Sequence, residues 1–338
     1  MKRWLGIFLL LAAPSLGAAE ELFELKPVVE GVYAAIAPGA FDGRCNSAIV
    51  LLHDGVLVVD TSSTPSQARA LLAQVKKLTD KPVKYVLNTH AHGDHFQGNY
   101  AFSEAFPGME IIASEATRRD LEDRGIARAK RGLFETSHSV EKLKVELAKA
   151  PEAQKKGLQE KLQKAQVELA ELRALQFALP TLTFERHLTL HDPMRTVEFI
   201  CLGPAHSAGD VVAYLPKEKV IITGDLLHGW VPYMGDSSPY AWLQALQQVE
   251  KLDFDTIIGG HGDVMRGKGQ FEFWKQYFRD LMSATTEAYT QGATLADARK
   301  SVAAKLAAKY ASQFPSTFPQ EVIGNIEKAY RVVSGQTE

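Results

Sequence analysis

The chain has 338 residues, 46% of them apolar and 23% charged, which places it among ordinary globular proteins and excludes a disordered one. Its formal net charge of −2 leaves no global basic field to collect nucleic acid, and no local basic patch stands out. Two cysteines, Cys45 and Cys201, exclude a disulfide framework and leave one bridge or two free thiols as the alternatives.

The first residues, MKRWLGIFLLLAAPSLGAAEE, join Lys2 and Arg3 to an apolar run from Trp4 to Ala13 and to small residues at Gly17, Ala18 and Ala19. That order predicts a cleaved secretory leader over 1–19, because the apolar run is shorter than the about 20 residues of a membrane span. The mature chain is expected to begin near Glu20, to keep no stable membrane span and to work in the periplasm or outside the cell.

From Gly31 to about Asp60 the pattern is that of strands, GVYAAIAP and then NSAIVLLHDGVLVVDT, with His53, Asp54 and Gly55 supplying turn chemistry between two apolar runs. Pro65 opens a helix with Ala68, Leu71, Leu72 and Val75 on one stripe. A short strand, Val83 to Leu87, follows, and the loop NTHAHGDHFQGN hangs from its end. In open α/β sheets, ligands bind at such strand tips.

A charged helical stretch spans about 114–179 and breaks near Pro151. Leu158, Leu162, Ala165, Leu169 and Leu172 alternate spacings of four and three, so a helical hairpin with a coiled-coil-like seam is expected. It reads as a solvated arm packed on itself, with a lid or a homodimer contact as alternatives. Strands resume with TLTFERHLTL, RTVEFICLG, VVAYLP and KVIITGD. A helix from about Pro239 to Leu252, capped by Ser237 or Ser238, leads to the strand DTIIGG. The end, 266–338, reads as helices only, with an apolar FEFWKQYFRDLM stretch suited to packing on the remainder.

His90 and His92, one residue apart in an extended loop, can face the same side, while Asp94 and His95 must point elsewhere. Two ions a few ångströms apart suit that divergence better than one crowded ion. Partners recur at other strand tips: His206 in PAHSAGD, Asp225 in TGDLLHG and His261 in IIGGHGD, the last two next to a glycine and His206 three residues from one, which lets backbone come close.

These motifs resemble the metallo-β-lactamase superfamily, whose His-x-His-x-Asp-His signature reads here His90, His92, Asp94, His95, followed in order by His206, Asp225 and His261. The resemblance covers roughly 31–263 and implies an α/β fold: a four-layer αββα sandwich over 20–265, with the helical hairpin as an insertion and the C-terminal helices as an extension. It also implies that His90, His92 and His206 hold one zinc, that Asp94, His95 and His261 hold another, and that Asp225 bridges them. Iron and manganese are the alternative metals. Asp60 matches a position that supports the site from behind, with a cap or turn role as its plainer reading. Antibiotic-resistance members carry cysteine or serine where this chain has Asp225, so the resemblance points toward ester, lactone, thioester or amide hydrolysis rather than β-lactam cleavage in particular.

The expected activity is attack on a carbonyl of a small-molecule substrate by a metal-bound hydroxide, with Asp94 orienting it and taking its proton. Trp230 and Tyr233, in the loop after Asp225, are the candidate substrate-binding residues, and Tyr233 could donate a hydrogen bond to a substrate oxygen. His228 is expected to be structural, and His53, His138, His187 and His191 ordinary surface residues. Two other activities on such a fold are weaker: a mononuclear-iron persulfide dioxygenase, which leaves His95 and His261 without work, and a phosphodiesterase or nuclease, against which the charge counts.

Overall fold

The computed structural model describes residues 22–39 and 43–336; the expected leader lies outside them. Among the described residues, thirteen strands form two mixed sheets. The first holds, side by side, β1 (Glu24–Val29), β2 (Val32–Ile36), β3 (Ser47–Leu51), β4 (Val56–Val59), β5 (Val83–Leu87), β6 (Glu110–Ser114) and β7 (Leu182–Phe184). Its pairs are antiparallel up to β4 and parallel beyond it. The second holds β8 (His187–His191), β9 (Thr196–Cys201), β10 (Val211–Leu215), β11 (Val220–Gly224), β12 (Thr256–Gly259) and β13 (Met265–Arg266), in that order across the sheet, with only β11 and β12 parallel.

Strand alternation sorts side chains into three cores. In β4, Leu57 and Val59 face the second sheet, while Val56 and Val58 face helices. In β10, Val211, Ala213 and Leu215 enter the inter-sheet core, while Val212 and Tyr214 turn outward. Both faces are apolar because both are covered, which is why these strands read as continuous apolar runs. Over the first sheet lie α1 (Pro65–Leu78) and α3 (Asn99–Ala105), with Leu71, Val75 and Phe102 packing on Ile49 and Val86, while the single turn α2 (Gly93–Phe96) buries Phe96 against Ala91 and Leu121. Over the second lie α7 (Pro239–Val249) and the C-terminal α8 (Gly269–Thr290), α9 (Leu295–Tyr310) and α10 (Phe318–Val333). The αββα sandwich is therefore the observed fold. No described helix is long and apolar enough to cross a membrane.

Between β6 and β7 run α4 (Glu115–Asp120), a π turn (Leu121–Gly125), α5 (Ile126–Lys149) and α6 (Glu152–Ala174). The last two fold back on each other at Pro151 as a hairpin, with Leu169 and Val140 buried and Leu158, Leu162, Ala165 and Leu172 half-buried. The helical stretch starts at Glu115, as expected, with Ser114 closing β6 and its Oγ accepting from Thr117 N–H to cap α4.

Three other details differ from expectation. β1 was not anticipated, because a polar edge strand interrupted by Pro27 and a bulge lacks a period-two apolar signal. TLTFERHLTL is not one strand: Leu182–Phe184 pairs with β6 in the first sheet, whereas His187–His191 pairs with β9 in the second. Ser238 occupies the N-cap of α7 without a side-chain bond to it, and Ser237 Oγ donates to the Met234 carbonyl instead. Cys45 and Cys201 are both free thiols.

Candidate metal centre

The quoted loop begins where β5 ends, and its shape is held by amides. Asn88 Nδ2 donates to the His95 carbonyl (3.1 Å) and to Asn99 Oδ1 (3.0 Å), while Asn99 Nδ2 returns a bond to Asn88 Oδ1 (2.7 Å). The second sheet is pinned to the same edge. Asn46 Nδ2 donates to the carbonyls of Gly259 (2.9 Å) and Gly262 (2.8 Å), and Val211 N–H donates to the Thr89 carbonyl (2.8 Å). His206 follows β9, Asp225 follows β11 and His261 follows β12, so three tips of one sheet face the loop carried by the other.

The seven predicted residues converge in two groups. His90, His92, His206 and Asp225 can bring one potential ligand atom each within 4.8 Å of one another, and so can Asp94, His95 and His261. Asp225 reaches both. Its Oδ2 lies 3.6 Å from His206 Nε2, 4.0 Å from His90 Nε2 and 3.3 Å from His261 Nε2, and its Oδ1 lies 3.5 Å from His95 Nε2. Asp94 Oδ2 stands 3.3 Å from His95 Nε2 and 3.4 Å from His261 Nε2.

Four rings are oriented from behind. Thr89 Oγ donates to Asp60 Oδ2 (2.8 Å) and so accepts from His90 Nδ1 (3.0 Å). His95 Nδ1 donates to Asp60 Oδ2 (2.7 Å), His206 Nδ1 to the Tyr233 carbonyl (3.2 Å) and His92 Nε2 to Asp236 Oδ2 (3.0 Å). Each bond leaves the other ring nitrogen lone pair aimed at the centre. Asp60 thus supports the site and does not cap α1, whose N-cap is Thr64.

Burial disfavours charge on His90, Asp94, His95, His206, Asp225 and His261, and their neighbours decide the outcome. For His206 burial, reinforced by His92, drives the pKa down to about 3; for His90 it acts the same way, with His95, His92 and His206 crowding it. For His261 the facing carboxylates of Asp225 and Asp94 outweigh burial and lift the ring to about 9. The histidines in turn hold Asp94 and Asp225 well below the usual carboxylate range in spite of burial. His90 Nε2, His95 Nε2 and Asp225 Oδ1 are buried without a hydrogen-bond partner among the described residues. Orphaned buried polar atoms cost about 1–3 kcal/mol each unless something coordinates them. This imidazole and carboxylate set, with its free lone pairs converging, fits a divalent metal ion.

A cavity of about 600 Å³ opens over the centre, and its walls include Asp94, Trp230, Tyr233, Gln97, Arg128 and Glu321. Trp230 stacks on His261 at 4.6 Å and 20°, and Tyr233 keeps 43% exposure at the rim. His228, expected to be structural, is buried, meets Trp274 edge-on and accepts from Trp230 N–H, and it also lines the cavity. His53, His138, His187 and His191 are exposed. Cys45, assigned to no motif, sits with Asp60 and His95 in a third close group; burial pushes its thiol up to about 11, so it stays protonated. Asp236, Arg128 and Glu321 were not anticipated. Only Asp236 lay in a loop already singled out, and a lone charged residue carries no local signal of its partner.

The model of the metallo-beta-lactamase superfamily matches residues 40–261. A linear primary-alkylsulfatase from Pseudomonas sp. is 26% identical over 241 residues, which are 68% of this chain and 44% of that protein. A hydroxyacylglutathione hydrolase from Gloeothece citriformis is 36% identical over 70 residues, covering 21% of this chain and 27% of that protein. The chain thus matches less than half the length of either. Among solved structures, a metallo-beta-lactamase from Pontibacter korlensis superposes with a TM-score of 0.55 at 18% identity, over 76% of this chain and 99% of that one. The mono-zinc form of the metallo-beta-lactamase FIM-1 from Pseudomonas aeruginosa gives 0.53 at 16% identity, over 76% and 95%. Since the family model spans more than half of the chain and ends on His261, this protein belongs to the metallo-beta-lactamase superfamily.

Proposed function

We propose that the protein is an exported hydrolase that holds two zinc ions and, by attack of water on the carbonyl carbon, cleaves the acyl C–O, C–S or C–N bond of a small-molecule ester, lactone, thioester or amide. The observation that carries this reading is the Asp225 carboxylate, which stands between both groups with Oδ1 orphaned. His90, His92 and His206 would hold one ion, Asp94, His95 and His261 the other, and Asp225 both. A divalent ion there supplies Lewis acidity and brings the pKa of a coordinated water from 15.7 toward about 7.

The chain's own residues do the remaining work. Asp94, with 24% of its side chain exposed on the cavity wall, would orient the attacking water and accept its proton. Burial raises the Tyr233 phenol above its ordinary pKa, so at neutral pH it is a donor available to a substrate oxygen. Trp230 offers an apolar wall beside His261. The leader-like start of the sequence supports export.

Metal analysis of protein purified without added metal, together with hydrolysis of lactone, thioester, β-lactam, alkyl sulfate and phosphodiester substrates, tests the reading. The expected result is about two zinc per chain. Turnover of a carbonyl substrate should fall at least about 100-fold in Asp94→Ala. One iron per chain with oxygen consumption on a persulfide would overturn it, as would preference for the sulfate or phosphate esters.

A further inference from the structure

His92 differs from the other rings of its group. His90 and His206 have fully buried side chains, whereas 16% of the His92 side chain is exposed, so water competes for its orientation. The rear supports of His90, His95 and His206 come from the sandwich edge and the loop over it: Thr89, Asp60 and the Tyr233 carbonyl. The rear support of His92 is itself supported from elsewhere. Asp236 Oδ2 accepts from His92 Nε2 at 3.0 Å, and Asp236 Oδ1 accepts from Arg128 Nη2 at 3.0 Å. Arg128 stands in the first turn of α5, on the helical arm. With Nε2 engaged, His92 presents Nδ1 to the centre, 3.0 Å from His206 Nε2.

We propose that the arm is part of the metal site: Arg128 holds Asp236, Asp236 holds His92, and docking of the arm thereby sets how tightly the first ion is bound. This rests on the metal-centre reading above. The physical case is direct. A carboxylate that accepts from the rear N–H of a ligating imidazole fixes its tautomer and raises its basicity. A carboxylate bridged by a guanidinium is held in place, whereas one released from it turns toward water. Asp236 and Arg128 are therefore positioning residues, and the arm has a role beyond packing on itself.

Zinc affinity of the full chain, measured by competition with a chromophoric chelator, tests this, with the visible absorption of the cobalt-substituted protein reporting ligand geometry. Asp236→Ala should lower the affinity for one of the two ions by about 10- to 100-fold and alter the cobalt spectrum. Arg128→Gln should act in the same direction by about 3- to 10-fold, and the double variant should bind no more weakly than Asp236→Ala alone, because both act through one contact. Arg128→Lys should recover part of the loss. Asp236→Asn, which keeps the shape and an acceptor oxygen, replaces Asp236→Ala if that variant does not fold. Glu171→Gln weakens a different arm anchor, the 3.0 Å bond from Ser66 N–H, by taking away the charge of its acceptor, and should leave affinity and spectrum unchanged. Wild-type affinity and spectrum in the Arg128 and Asp236 variants would overturn the proposal, and so would an equal loss in Glu171→Gln. If the wild-type chain took up no divalent ion, the functional reading would fall with it; if it took up two and the variants bound both equally tightly, only the role of the arm would fall.

Discussion

Asp225 shows how a single side chain can be both legible and dependent on its surroundings. Its place after an apolar strand and beside glycine marks it in the sequence, yet its reach to both groups depends on Gly260 behind it. A Cβ at Gly260 would overlap Asp225 Oδ1 and meet His95 Cε1 at 3.0 Å, so only glycine lets the β12 tip close on the carboxylate. Glu321 is the opposite case, an ordinary charged residue on α10 until the C-terminal helices bring it to the cavity. Burial there, reinforced by Asp225, raises its carboxyl from 4.5 to about 7. The folded chain then keeps a proton that the unfolded chain has released, so stability falls as pH rises from about 4.5 through about 7. In metal-free protein Glu321→Gln should therefore melt higher than wild type at pH 8 and no higher at pH 4. Equal melting differences at the two pH values in thermal scans would contradict this. The loop from His90 to His95 was readable because ligand chemistry is concentrated there; Glu321, Asp236 and Arg128 were not, because a charged side chain announces its partner only through tertiary contact.

At the scale of elements, apolar periodicity placed α1, the helical hairpin and the three C-terminal helices, since each buries one stripe against a neighbour. Periodicity failed where a segment changes sheets or lies at an edge, as in TLTFERHLTL and β1. The C-terminal helices are also where packing meets the site. Trp274 of α8 is fully buried against Trp242 and Phe278, its indole N–H donates to the Trp230 carbonyl, and its ring meets His228. Trp274→Ala should cost about 3–5 kcal/mol in urea unfolding, as large-to-small changes in a packed core do. It should also raise KM more than it lowers kcat, because Trp230 loses the anchor of its backbone while the ligand residues keep theirs. A loss of stability below about 1 kcal/mol would show that α8 does not bear on the core as described.

For the molecule as a whole, five imidazoles and two carboxylates are gathered at one edge of the sandwich, and His90, His95 and Asp225 each keep one buried atom with no hydrogen-bond partner among the described residues. Such a centre stabilises the fold when it is filled. Zinc should raise the melting temperature and a chelator should lower it, with stabilisation of about 2.7 kcal/mol at a free zinc concentration one hundred times Kd. A melting temperature indifferent to both, measured by differential scanning calorimetry, would contradict that linkage. The sequence by itself determined the order of most elements and the residues that meet at the centre, because strand periodicity and ligand chemistry are local properties of short segments; the fold class came through the resemblance of those motifs to a known family. Only the tertiary structure decided which nitrogen of each ring faces inward, that Asp60 and Asp236 stand behind the rings, and that the arm and α10 reach the cavity. Those features are contacts between segments far apart in the chain, and no local pattern encodes the partner of a buried charge.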